Sequence, residues 1–119
     1  MNNQLKAFLR SDHAGEVGAV YIYKGILKIA KDPELVSFSK RHLATEESHL
    51  QKIEGVLPKK DRSKLVWLWK VAGFLLGFLP TLFGPKIVFA TIEAVEAFVE
   101  EHYEEQLKYL RAQPIPNQE

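Results

Sequence analysis

Residues 32–58 read DPELVSFSKRHLATEESHLQKIEGVLP, and their spacing decides the fold class. Asp32 offers an N-cap oxygen and Pro33 a first-turn proline, a strong helix start. Gly55 and Pro58 supply the stop, so a helix is predicted from about Pro33 to Val56. At about 100° per residue, Leu35, Phe38, His42, Leu43, His49, Leu50 and Ile53 share one face, and Glu46 lies at its centre. Glu47, Gln51 and Lys52 point away from it.

Working outward, two more long segments carry the same period. One runs from about Asn3 to Lys31, with Leu5, Leu9, Val20, Tyr23, Leu27 and Ala30 as its stripe and Glu16 in the middle. The other runs from about Lys86 to Arg111, where Phe89, Ile92, Val99, Tyr103, Leu107 and Leu110 flank a central Glu96. Glu93 and Glu100 lie near the edge of that stripe. Glutamate is almost never fully buried alone, and an ionised carboxylate in a core is costly unless it is paired or binds a metal. Three glutamates at mid-stripe, with no Lys or Arg on those faces, predict a bound cation. The alternative is three glutamates exposed at a bundle end.

Glu46 and His49 add a sharper signal. Their i, i+3 spacing puts both side chains on one helix face, one turn apart. This Glu-x-x-His unit is the building block of carboxylate-bridged di-iron sites in helical bundles. His13 and His42 read as core or supporting residues rather than ligands. Asp12 is a candidate to orient His49, because a carboxylate often fixes the tautomer of a metal-bound histidine. The chain has no cysteine, so disulfides, thiolate metal sites and cysteine nucleophiles are excluded. Oxygen and imidazole donors suit iron or manganese, and imidazole also suits zinc, copper and nickel.

Between the second and third long helices lies LVWLWKVAGFLLGFLPTLF, Leu65–Phe83. Its uncharged run is shorter than the ~20 residues a spanning helix needs. Trp67, Trp69, Phe74 and Phe78, with lysines at the edges, predict a hairpin in a membrane interface over residues 65–85. A buried core helix is the other reading. Lys59, Lys60, Arg62, Lys64 and Lys70 gather beside it and would favour anionic headgroups. With 16 Lys plus Arg against 15 Asp plus Glu over 119 residues, the charge balance argues against a nucleic-acid partner. The length fits one domain, residues 1–119. Met1–Arg10 lacks the apolar core of a secretory signal, and no targeting sequence is seen.

Four blocks carry a family resemblance: LRSDHAGEVGA (Leu9–Ala19), TEESHL (Thr45–Leu50), LWKVAGFLLG (Leu68–Gly77) and AVEAFVEEHY (Ala94–Tyr103). In order and spacing they resemble the demethoxyubiquinone hydroxylase family. The resemblance implies an all-α, ferritin-like helical bundle with three long helices plus a short apolar, membrane-interfacial helical hairpin. It implies two irons per site and O2-dependent hydroxylation of the ring of a polyprenylated quinol in ubiquinone biosynthesis, with NADH as reductant. It places the protein peripherally on the cytoplasmic face of the bacterial inner membrane. By position, Glu16, Glu46, His49 and Glu96 correspond to iron ligands, facing one another across the bundle. His102 and Tyr103 match positions thought to serve electron delivery or substrate.

One departure stands out. The family completes its site with a second Glu-x-x-His on a further helix, and Glu46–His49 is the only such pair here. Three explanations follow: a shortened hydroxylase, a homodimer sharing the site at a two-fold axis, or Glu93 or Glu100 as substitute ligands. The rival function is an iron-binding or iron-storage ferritin-like dimer, which would have no use for the apolar segment.

Overall fold

The Asp32 cap forms as its sequence requires. In the computed structural model, which describes residues 2–113, its carboxylate accepts the Leu35 N–H at 2.9 Å and α2 runs Pro33–Val56. The preceding helix α1, Asn3–Ile29, is capped by Asn2, whose side chain accepts the Leu5 N–H at 2.7 Å. The short connection between α1 and α2 reverses the chain. The two helices therefore run antiparallel, with His13 against Glu54 and Tyr23 against Phe38 and His42. Past α2, Leu57 is fully buried and Lys59–Asp61 makes a 3-10 turn. Arg62 ties that turn down by donating to the Leu57 and Glu54 carbonyls at 3.1 and 3.2 Å. From α1, Arg10 donates to the Asp61 carbonyl at 2.9 Å.

The apolar segment forms one helix, α3 (Val66–Thr81), and not the hairpin expected over residues 65–85. Those glycines mark a close approach. A Cβ at Gly73 would strike the Gly18 carbonyl, one at Gly77 the Ile22 carbonyl, and one at Gly25 the Phe74 carbonyl, each well inside 3.0 Å. Helix backbones meet this closely only where small residues line the contact. The matched order, Gly18 with Gly73 and Ile22 with Gly77, makes α1 and α3 parallel. Pro80, which lacks an N–H, sits in the last turn of α3,. Gly84, at φ 108°, turns the chain into α4, Pro85–Ala112. No strand occurs among the described residues, and the fold is all-α, in keeping with a ferritin-like helical bundle.

The chain divides into two compact units, Met1–Val88 and Phe89–Glu119, with the boundary inside α4. In the first unit α1 is buried on two faces: His13, Glu16, Val20 and Tyr23 on the α2 side, and Gly18, Ile22 and Gly25 on the α3 side. The outer face of α3 and its C-terminal end leave Leu68, Val71, Leu75, Leu76, Leu79, Leu82 and Phe83 exposed. Trp67 is 62% exposed. Trp69 lays its ring along Gly18, 3.4 Å from where a Cβ would stand. Phe74 and Phe78 are half-buried and stack on each other at 5.7 Å, flanking the seam rather than heading the outer face. No helix among the described residues is long and apolar enough to cross a membrane.

The seam gives a paired test by chemical denaturation. Gly77→Ala forces the α1 and α3 backbones apart and is expected to cost about 1–3 kcal/mol. Gly15→Ala, where a Cβ meets nothing within 4 Å, should be neutral or stabilise by about 0.5–1 kcal/mol, as expected for a helix interior. Equal effects from the two would mean the seam is not tight.

Candidate metal centre

Glu16 sits at the centre of the α1 face that meets α2 and is 8% exposed. On α2, Glu46 and His49 stand one turn apart and face it. His49 Nδ1 lies 3.9 Å from Glu16 Oε1 and 3.9 Å from Glu46 Oε2. One donor atom from each of the three residues falls within 4.8 Å of the others. Carboxylate and imidazole bonds to a metal such as zinc are about 2.0–2.2 Å long, so small side-chain rotations would close all three on one ion. Two carboxylate oxygens and one imidazole nitrogen fit a cation such as iron. The group is graded in exposure: the Glu46 side chain is 22% exposed and that of His49 is 49% exposed.

The expectation that each long helix buries a glutamate holds only for Glu16. Glu46 is half-buried and Glu96 is exposed on α4, as is neighbouring Phe98. An amphipathic stripe in the sequence fixes which residues share a face, not how completely that face is covered. Glu93 and Glu100 are also exposed. In the same unit, Gln106 Nε2 donates to His102 Nε2 at 3.0 Å, and the His102 and Tyr103 rings lie 5.9 Å apart. Asp12 is half-buried on α1, one turn before Glu16. His42 stacks on Phe38 at 4.0 Å beside Tyr23, a packing role.

A pair the sequence did not disclose lies beside the group. His13, 2% exposed, donates from Nε2 to Glu54 Oε2 at 3.0 Å. Arg62 Nη1 approaches the same carboxylate oxygen at 3.8 Å. His13 and Glu54 are far apart in sequence, and only the antiparallel register of α1 and α2 brings them together. His13 Nδ1 is buried with no hydrogen-bond partner in the structure.

This geometry falls on the blocks that carry the family resemblance, and comparison with known proteins agrees. The family described as ubiquinone biosynthesis protein COQ7 matches residues 3–119. The chain belongs to this family. Among its COQ7-family relatives, "3-demethoxyubiquinol 3-hydroxylase" of Rhodospirillum rubrum is 38% identical over 112 residues, covering 92% of this chain and 53% of that protein. "NADPH-dependent 3-demethoxyubiquinone 3-hydroxylase, mitochondrial" of Dictyostelium discoideum is 31% identical over 117 residues, covering 97% and 54%. "5-demethoxyubiquinone hydroxylase, mitochondrial" of Saccharomyces cerevisiae is 36% identical over 114 residues, covering 92% and 48%. The chain thus spans about half the length of the curated relatives it matches.

Two substitutions separate ligation from architecture. Glu46→Ala is expected to abolish tight Fe(II) binding in an anaerobic titration while leaving the far-ultraviolet helical signal intact. Retained binding would remove Glu46 from the ligand set. Glu54→Ala should leave Fe(II) binding in place but lower stability by about 1–3 kcal/mol, because it strips a buried histidine nitrogen of its acceptor.

Proposed function

We propose that this chain carries the iron-binding part of a hydroxylase that acts on the ring of a demethoxyubiquinol. The observation that supports this reading is the convergence of Glu16, Glu46 and His49 on segments that match a family whose relatives are named hydroxylases of that substrate. Iron held there would supply stepwise electron transfer to dioxygen. The protein's own contribution is positional. Glu16, enclosed between helices, would be a fixed anionic anchor. Glu46 and His49, one helical turn apart, would close on the ion from α2. Asp12 would orient His49, and His102 with Tyr103 would serve substrate or electron delivery, as the family resemblance suggests. By the same resemblance Glu96 would be a further ligand, Glu93 or Glu100 would stand in for missing carboxylates, and alanine variants of each in the Fe(II) titration test them.

The outward face of α3 would lie in the membrane interface, where a polyprenyl tail also resides. An exposed apolar patch of this extent marks a contact surface. We place the protein peripherally on a membrane, specifically the cytoplasmic face of a bacterial inner membrane. Because the group supplies two carboxylates and one imidazole, we also propose a homodimer in which two copies of Glu16, Glu46 and His49 form one two-iron site; the ratio of iron to light-scattering mass tests it. The storage reading gains no support from relatives named as hydroxylases.

The deciding experiment supplies Fe(II)-loaded protein with a demethoxyquinol in vesicles, isotopically labelled dioxygen, and NADH or NADPH. Ring-labelled product that disappears in Glu46→Ala is the expected result, and metal-loaded protein that forms none would sink the proposal. The resemblance implies NADH as reductant, whereas the Dictyostelium relative is named for NADPH, so the faster of the two settles the donor. Leu75→Asn with Leu79→Asn should weaken binding to phosphatidylcholine vesicles at least tenfold, given about 1.5–3 kcal/mol for each buried leucine. Unchanged partitioning would remove α3 from the membrane contact.

A further inference from the structure

The first unit holds a concave feature outside the metal group and unused by it. A cleft of about 670 Å³ opens where α1, α2, the 3-10 turn and the start of α3 meet. Lys24, Lys59, Lys60, Lys64 and Lys70 line it, and among the described residues none of the five has a carboxylate within 4.0 Å. Two of them converge on one ring. The ammonium of Lys24 lies 4.6 Å and that of Lys70 5.7 Å from the centroid of Tyr21. Of the two acids in the lining, Glu54 is engaged by His13 and Arg62, which leaves Glu47. Like charges gathered in a concave wall repel one another and raise the local positive potential, and an anion relieves both effects. The buried His13, with its unpartnered Nδ1, also lines the cleft.

We propose that this cleft binds a phosphate group, presented by a lipid headgroup or by a soluble phosphate ester. Lysine ammoniums bind phosphate as compact point charges and need no fixed fork geometry. Several of them can share one phosphate from different elements, and Lys24 of α1, Lys60 of the 3-10 turn and Lys70 of α3 line the same cleft. The cleft also lies beside the exposed apolar face: Val66 and Lys70 line it, and Trp67 and Trp69 sit between them in sequence. A headgroup could therefore enter while its acyl chains follow α3. The site does not depend on metal binding or on the hydroxylase reading.

The test compares three double variants of the full chain, each checked for helicity. Lys24→Gln/Lys70→Gln empties the Tyr21 pair, and Lys60→Gln/Lys64→Gln empties the loop side. Lys31→Gln/Lys40→Gln removes the same charge from exposed positions outside the cleft. Each is titrated with inorganic pyrophosphate by calorimetry, and with phosphatidylcholine vesicles with and without phosphatidylglycerol, at about 0.15 M ionic strength. The cleft pairs should weaken binding about tenfold or more and the outside pair by no more than about twofold, since each lysine near an anionic surface contributes measurably. Cleft dependence for pyrophosphate alone assigns a soluble ester; cleft dependence for the phosphatidylglycerol vesicles alone assigns a headgroup. If all three variants lose affinity equally, or no variant changes either probe, there is no phosphate site and the proposal is overturned.

Discussion

Two helix backbones can touch only if the side chains between them are removed, and the rest of the first unit depends on that contact between α1 and α3. At Gly25 on one helix and at Gly73 and Gly77 on the other, a carbonyl of the facing helix stands where a Cβ would be, and Gly18 carries the carbonyl that meets Gly73. The approach fixes the rotation of both helices. On α1 it turns Glu16 toward α2, because the two buried faces of the helix lie on roughly opposite sides. On α3 it directs the glycines inward, so the leucines of the same helix have nowhere to go but out.

The metal group follows from that rotation and from the Asp32 cap, which sets the register of α2. The Glu16 side chain is buried, whereas that of His49 is half open to solvent. One donor is thus part of the core, and another belongs to the surface of a single helix. The His13–Glu54–Arg62 cluster sits nearer the start of α1 and fastens the far end of α2, together with the turn after it. It holds the antiparallel pair where the carboxylates converge.

Much of this was legible in the sequence. The bounds of α2 could be read from Asp32, Pro33 and Gly55, and the shared face of Glu46 and His49 from their spacing, because caps and period are local physics. The glycine seam was not legible. A glycine has no side chain to enter a hydrophobic pattern, so nothing in the apolar run marks Gly73 and Gly77 as points of contact. His13 with Glu54 escaped for another reason: a polar pair across two helices leaves no trace in either helix's own period. Glu96 shows the converse limit, since its stripe is real but the exposure of Glu96 and Phe98 is not written in it.

The order of the helices also bears on how the chain can assemble. α1 and α2 are joined by a short connection, so the contacts nearest it, such as Tyr23 with Phe38, close small loops and lose little chain entropy,. The seam between α1 and α3 joins residues some fifty positions apart, Gly18 with Gly73 and Gly25 with Phe74, and its closure costs more. The hairpin that carries Glu16, Glu46 and His49 on facing surfaces is therefore closed by more local contacts than the seam with α3. The candidate metal group and the glycine seam are thus brought together over different spans of chain, from Glu16 to His49 in one case and from Gly18 to Gly73 in the other.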